Sequence, residues 1–437
     1  MELEKVKKKV LKKYYPSTEE LKESRQLFQE IQSLIKETYG LNSHFAGSAS
    51  RGTCRKGDKD IDIFVLFSKE TPRRELEEKG LEVGKTVFEK IGTEYHVEYA
   101  EHPYTKGLVK GHEVEIVPCY DVPSGEIQSS VDRTPHHTRW TKDNLNETQK
   151  RDVVALKKFL EAQELYGSSL KTEGFSGYLC EILISYYGSF EELIENASSW
   201  EKEKRLDFNE SPKDFDSSFV VIDPVDPERN VAAVLSTENY AKFIFKAWKL
   251  SQNPSISMFE SSTEFNEFEL RQDLDKRADF LVIEFKRPEE VDDIVYPQLR
   301  KLERLLHTKL KKSGFKLYDS GVYAEDMARL FFELDRHLPE TEVVKGPQVY
   351  HNEKHLEEFT KKYENVFIRD ERLCAKTERE FTDARNLVKN FLKTDVESLK
   401  ERGVPNKIAP QLEEYRFSDI LDGEDEWLKY LYNKLHV

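Results

Sequence analysis

Residues 47–67 read GSASRGTCRKGDKDIDIFVLF, and no other stretch restricts the fold as much. Asp60 and Asp62 stand two apart at the head of an apolar run. In a strand, residues i and i+2 point to the same side, so both carboxylates share one face while Ile61 and Ile63 point to the other. Ile63-Phe64-Val65-Leu66-Phe67 then buries the strand. Ahead of it, Gly47-Ser48 predicts a tight backbone turn whose N–H groups suit a phosphate, helped by the Ser48 hydroxyl. Arg51 adds positive charge nearby. Taken alone, the D-x-D pair also fits a solvated turn before an acidic edge strand. The Gly-Ser turn at this distance and the apolar strand favour a phosphate cradle followed by carboxylates that hold a divalent cation, as Mg2+ is held between carboxylates and substrate phosphate oxygens.

A third carboxylate would complete a site for phosphoryl transfer. The segment HEVEIVP at 112–118 supplies Glu113 and Glu115 on one face of a later strand. Glu115, directly before Ile116-Val117, is the choice, with Glu113 as its alternative.

The 437 residues carry a formal net charge of −15, which argues against indiscriminate binding to polyanions. A nucleic-acid partner therefore needs a local basic surface. Cys54, Cys119, Cys180 and Cys374 are isolated, so neither a zinc site nor a disulfide framework is expected. The opening MELEKVKKKVLKK has no apolar signal core, and no segment reaches membrane-spanning length. A soluble, reduced, cytoplasmic protein is expected.

Ser17 and Glu20 form a capping box ahead of a helix carrying Leu27, Phe28, Ile31, Leu34 and Ile35, ended by Gly40. A helix around 72–91 follows the D-x-D strand. YHVEYA, YTKGLVKG and HEVEIVPCY read as strands, the last two joined by a tight turn at Lys110-Gly111. From about 146 the pattern turns helical. The stretch 200–218 reads as a surface loop, FVVIDPVDPERN as a strand entering a turn, and Ser236 as the cap of a helix reaching Trp248. In the last third, a strand at ADFLVIEFKRP, an amphipathic helix and a strand pair give a βαββ order, with more helix at 352–364 and 378–400. The fold class is α+β and multidomain: a mixed-sheet, palm-like domain at 1–145, a helical domain at 146–256 and an α+β region at 257–437.

The segments GSASRGTCRKGDKDIDIFVLF and VEIVPCY resemble the catalytic core of polymerase-β-type nucleotidyltransferases. VDRTPHHTRW at 131–140, GFSGYLCEILI at 174–184 and IDPVDPERNVAAVLS at 222–236 narrow the resemblance to the archaeal, class I CCA-adding tRNA nucleotidyltransferases. The likeness is distinctive from about residue 40 to 250 and weaker beyond. It implies a metal-binding triad at Asp60, Asp62 and Glu115, the last often aspartate in the family, with Mg2+ as cofactor. It implies nucleotide contacts at Ser48, Arg51, His137, Lys157 and Tyr166, with the choice between His137 and the adjacent His136 left open. Arg229 in DPERN takes the place of the family's base-reading arginine, acting with a second group such as Asp226. The implied partners are tRNA, ATP and CTP; no membrane is involved, and a homodimer is left open. On the helix at 297–312, Arg300, Arg304 and Lys311 form a basic face that suits an RNA backbone, or a solvated helix face. The expected activity is template-independent addition of CCA to tRNA. A poly(A)-polymerase-like enzyme and an inactive RNA-binding scaffold are the alternatives.

Overall fold

The structure, a computed structural model, describes residues 2–99, 101–260, 265–350 and 353–435. The chain divides into two units, 1–262 and 263–437.

In the first unit, helix α1 (Glu2–Tyr14) precedes α2 (Thr18–Tyr39). The expected capping box starts α2: Ser17 accepts from the Glu20 N–H while Glu20 accepts from the Ser17 N–H. Gly40 ends it at φ +68. There follow β1 (Asn42–Phe45), the short helix α3 (Gly47–Arg51), β2 (Asp60–Phe67), α4 (Arg73–Ile91), β3 (Tyr95–Tyr99), β4 (Pro103–Val109) and β5 (His112–Tyr120). The strand expected over 95–100 thus ends at Tyr99, Ala100 lying outside the described residues. Lys110 and Gly111 both take positive φ, 49° and 76°, the conformation a two-residue hairpin turn requires.

The sheet order is β1-β2-β5-β4-β3. Only β2 and β5 run parallel, so the sheet is mixed, as expected. One face packs under α2 and α4: Leu27, Ile31 and Val87 meet Ile61, Ile63 and Ile116 in one core. On the other face Phe64, Val117 and Cys119 pack with Ala46. β2 is therefore buried on both faces beyond its acidic start.

The helical part comprises α5 (Arg133–Asn144), α6 (Glu147–Ala162), α7 (Gly177–Tyr187), α8 (Phe190–Ala197) and α9 (Thr237–Gln252), with Ser236 capping α9 as expected. The loop expected at 200–218 contains a short strand, β6 (Lys204–Leu206), which pairs in parallel with β7 (Phe219–Val221). α6 is the central rod. Its Phe159 meets the rings of Phe190, Phe243 and Phe259, each fully buried ring being worth about 1.5–3 kcal/mol. α1 packs here too, not on the sheet. Val10 is buried in the helical core, and Lys7 bridges Asp152 and Glu191, both at 2.6 Å. The first helix thus contributes to the helical core, although the sequence groups it with the sheet.

The second unit contains α10 (Glu267–Leu274), β8 (Asp279–Lys286), α11 (Asp292–Lys312), β9 (Leu317–Ala324), β10 (Met327–Leu334), β11 (Thr341–Gln348), α12 (Glu353–Lys362), β12 (Val366–Arg369), β13 (Arg372–Glu378), α13 (Ala384–Leu392), α14 (Val396–Glu401), β14 (Arg416–Ser418) and α15 (Asp425–Leu435). β8-α11-β9-β10 is the expected βαββ unit, in an antiparallel sheet of order β14-β8-β10-β9. Leu299, Leu302, Leu306 and Leu310 of α11 are fully buried against it. The helix expected from 352 starts at Glu353, Asn352 lying outside the described residues. The helix expected over 378–400 is instead the end of β13 followed by two short helices. Asp383 and Asp395 cap these helices, accepting from the Asn386 and Ser398 N–H groups. The sheet β11-β13-β12 was not anticipated; its β11 is half-exposed and polar, without a continuous apolar face.

Candidate active site

The parallel register of β2 and β5 sets Asp60 beside Glu113 and Asp62 beside Glu115. Partners in register share a face, so four carboxylates crowd one end of the sheet, just before the apolar pairs begin. Like charges this close resist ionisation. Burial first, then the charge of Glu115, pushes the Asp62 carboxyl up to about 6. Asp60, at the exposed start of β2, is pushed up as well, by desolvation and then by Asp58 and Glu113. Cations answer this cluster: Arg51 acts on Asp62 and Arg55 on Asp60, while Lys106 on β4, in register with Glu115, contacts Glu113 and reaches Glu115 Oε1 at 3.0 Å. Burial alone would lower the Lys106 ammonium, but hydrogen bonds to the two glutamates raise it.

Among the described residues no three His, Cys, Asp or Glu side chains already converge on one point, and Glu113 and Glu115 are turned to Lys106. The donor set nevertheless fits a hard divalent cation. It is all carboxylate oxygen, it carries more negative charge than one lysine balances, and an ammonium group already stands where positive charge is favoured.

The turn before β2 is shaped around Asp62. Gly47 adopts φ +68, and a Cβ there would fall on Asp62 Oδ2. The Ala46 N–H donates to the Asp62 carbonyl at 2.9 Å, tying the turn to the strand. Ser48, in α3, is half-buried. Arg51 at the end of α3 is 9% exposed. Its Nε donates to Glu181 Oε1 at 2.9 Å and its Nη1 to Thr138 Oγ1 at 3.4 Å. Lys157 on α6 is 2% exposed and donates to the Thr53 carbonyl at 2.9 Å. The adjacent Lys158 turns instead to Glu161. Tyr166 lies next to Lys157 across Gly177: a Cβ on Gly177 would meet the tyrosine hydroxyl at 3.2 Å and Lys157 Nζ at 3.4 Å. Arg55 lies over the Tyr166 ring, 5.3 Å from its centroid. Where the sequence predicts a tight turn the chain forms the short helix α3, which carries Ser48 and Arg51 next to Asp62, and Arg51, Lys157 and Tyr166 gather around Gly177 and Glu181.

The two histidines part company. His136 contacts the Val122 carbonyl at 2.8 Å. His137 donates its Nε2–H to Asp223 Oδ2 at 2.9 Å and stacks on Tyr178 at 3.9 Å between centroids. Burial pushes His137 below its ordinary value, against the bond and charge of Asp223, which favour the protonated ring. Arg229 Nη1 meets the same Asp223 oxygen at 2.8 Å. Burial alone would raise Asp223, but donation from His137, the Val225 N–H and Arg229 holds it at about 2. The carboxylate beside Arg229 is therefore Asp223, not Asp226. Asp226 is taken by Arg133 Nε at 2.7 Å. His137 and Arg229 thus meet at one buried acid, and His136 does not.

Sequence reasoning passed over Glu181, Asp223 and Lys106. Two carried a signal: Glu181 is a lone acid inside the apolar CEILI run, and Asp223 ends the apolar run FVVI. On α11, Arg304 and Lys311 are exposed and Arg300 half-buried over the Tyr296 ring, 5.8 Å from its centroid.

Residues 24–137 match the family described as nucleotidyltransferase domain, residues 151–260 the second domain of tRNA nucleotidyltransferase, and residues 277–415 the C-terminal domain of CCA-adding enzyme. A CCA-adding enzyme of Methanocaldococcus jannaschii is 39% identical over 432 residues, covering 94% of this chain and 94% of the relative. One of Archaeoglobus fulgidus is 34% identical, covering 97% and 96%. A solved structure of a cytoplasmic RNA terminal U-transferase is similar with a TM-score of 0.48, at 14% identity, over 60% of this chain and 99% of that one. Among the described residues no helix is long and apolar enough to cross a membrane.

Proposed function

Because the chain belongs to the CCA-adding enzyme family, a family of nucleotidyltransferases, we propose that it carries out template-independent CCA addition to tRNA from CTP and ATP at the acidic face shared by β2 and β5. The observation that carries this assignment is the register that sets Asp62 beside Glu115 and Asp60 beside Glu113, at the foot of the Gly47 turn. Asp60, Asp62 and Glu115 would hold divalent cations, taken as Mg2+, which when bound neutralise triphosphate charge and make the tRNA 3′-hydroxyl easier to deprotonate.

The protein's own groups do the positioning. The Gly47-Ser48 turn and the Ser48 hydroxyl receive phosphate oxygens, with Arg51, Lys157 and Tyr166 behind them. They align the triphosphate for in-line attack: the 3′-oxygen bonds to the α-phosphorus as the bond to the β-phosphate oxygen breaks and pyrophosphate leaves. Of the unit 1–262, we assign the sheet with α2 and α4 to catalysis and the helices with α1 to closure over the nucleotide, and we assign the unit 263–437 to tRNA. Four buried free cysteines suit a reducing, cytoplasmic setting.

Arg229 is the base-reading group in this account, held by Asp223. A guanidinium donates but cannot accept, so it reads acceptors on the base while a second group takes the amino proton. Arg229→Ala is expected to lower C and A incorporation by roughly tenfold or more, because unpaired buried groups cost about 1–3 kcal/mol each. It should also narrow the preference over UTP and GTP. The check is kcat/KM for all four nucleotides on tRNA ending at the discriminator base and on tRNA ending in CC. Unaltered selectivity ratios would remove Arg229 from base recognition.

The face of α11 is proposed to follow the tRNA backbone. Replacing Arg300, Arg304 and Lys311 together with Gln should weaken tRNA binding and flatten its log–log salt dependence by about two to three units. Single-turnover incorporation at saturating tRNA should barely change. An unchanged slope would make this a solvated helix face.

A further inference from the structure

Four elements of the first unit converge on a carboxylate to which the mechanism above gives no role. Glu181 on α7 is 0% exposed. Its Oε1 accepts from Arg51 Nε at 2.9 Å and from Thr53 Oγ1 at 2.5 Å; its Oε2 accepts from Thr141 Oγ1 on α5 at 3.1 Å. The Thr53 carbonyl in turn accepts from Lys157 Nζ on α6. A buried carboxylate without partners is strongly unfavourable. This one is fully engaged, and each bond it accepts fixes a neighbour of the phosphate turn. Arg51 and Lys157 flank it, and two buried cations at such a site repel each other unless an anion lies between them.

We propose that Glu181 is a positioning residue for nucleotide binding: it fixes Arg51 directly, and Lys157 through Thr53, in the arrangement that receives the triphosphate, and its charge offsets the repulsion between these two buried cations. The proposal rests on the assignment of Arg51 and Lys157 as triphosphate contacts. Arg51 gives Nε to Glu181 and Nη1 to Thr138, while Nη2 has no hydrogen-bond partner among the described residues. The guanidinium is thus clamped on one edge and keeps a donor for a phosphate oxygen. Glu181 and Thr141 lie on α7 and α5, whereas Arg51 ends α3 and Thr53 follows it in the segment that leads into β2. The same carboxylate therefore ties the helices to the phosphate turn.

The charge has a separate consequence. Lys157 is faced by Glu181 and Cys180 from α7, Arg51 from α3 and Cys54 from the loop after it, with the Tyr166 hydroxyl across Gly177. Burial lowers the lysine, and Glu181 is the foremost charge opposing that. Without the Glu181 charge, Lys157 would lose its proton at lower pH, and nucleotide binding would weaken as pH rises.

The test compares wild-type protein with Glu181→Gln and Glu181→Asp. Nucleotide KM and kcat on tRNA, equilibrium CTP binding, tRNA KM and melting temperature are read from about pH 6 to pH 9. Glu181→Gln should raise the KM for CTP and ATP by roughly tenfold or more with little change in tRNA KM, and its nucleotide KM should begin to climb at a lower pH than that of the wild type. Glu181→Asp keeps the charge but withdraws it by one methylene, so it should raise KM while its pH profile stays closer to that of the wild type than the Gln variant's does. Wild-type nucleotide KM in either variant overturns the proposal, as does a loss shared equally by kcat, tRNA KM and melting temperature with no pH dependence. If the Gln variant does not fold, the Asp variant decides. A wild-type protein that binds CTP but adds nothing to tRNA would instead defeat the functional assignment.

Discussion

Asp62→Asn is expected to reduce CCA incorporation by at least about a thousandfold, roughly 4 kcal/mol of barrier, and Asp60→Ala to do the same, while both variants stay folded and bind tRNA. Among the described residues neither carboxylate makes a hydrogen bond or ion pair whose loss would unfold the sheet, and on the proposed assignment their charge is what the reaction uses. The stability effect has the opposite sign. Asp62 is raised from 3.8 to about 6 by burial and by Glu115. A carboxylate whose pKa rises on folding destabilises the folded state once pH exceeds that folded value, and the penalty vanishes below the unfolded one. In metal-free buffer Asp62→Asn should therefore melt higher than wild type above about pH 6, by at most about 3 kcal/mol of stability, with the gap closing near pH 4. Thermal melts across that range, alongside single-turnover incorporation, test both halves. A variant retaining a tenth of wild-type kcat would refute the metal-ligand assignment.

Gly47→Ala should be nearly as damaging by a different route. The residue sits at φ +68 and its Cβ would fall on Asp62 Oδ2. The left-handed backbone costs about 1 kcal/mol for alanine, and relief of the overlap must move either the phosphate turn or the carboxylate. Incorporation is expected to drop by roughly a hundredfold or more, since small misplacements of reacting groups have such effects. Gly52→Ala provides the control. Gly52 has φ +74, yet its Cβ would meet only Lys150 Cδ at 3.6 Å. It should show the conformational cost in its melting temperature with activity within a few-fold of wild type. Equal activity losses in the two variants would mean that backbone strain, not the approach to Asp62, controls this turn.

The parts of this molecule that were legible in the sequence are those set by local periodicity and capping. Ser17 with Glu20, the D-x-D alternation, the Lys110-Gly111 turn and the leucine stripe of α11 each depend on residues a few positions apart. That Gly47 lies against Asp62, and that Glu115 lies beside Asp62, joins separate segments; there the quoted motifs and the family resemblance supplied what local pattern could not. What remained hidden depends on partners far along the chain. Glu181 meets Arg51 across 130 positions, and His137 meets Asp223 across 86. Lys106 looks like ordinary strand alternation until register sets it beside Glu115. α1 carries no sign that it packs beside α6 and not on the sheet. The polar strand β11 and the Asp-capped break between α13 and α14 were missed because exposed strands and short helices give weak apolar patterns.

The central claim is that this acidic face builds a defined trinucleotide on tRNA. Its most direct test supplies tRNA transcripts ending at the discriminator base with labelled CTP and ATP, and reads product length at nucleotide resolution. The account predicts that wild-type protein adds C, C and A and then stops, that CTP alone gives only the two C additions, and that Asp62→Asn leaves the transcript unextended. An open-ended ladder of A or U, or full CCA addition by Asp62→Asn, would contradict it.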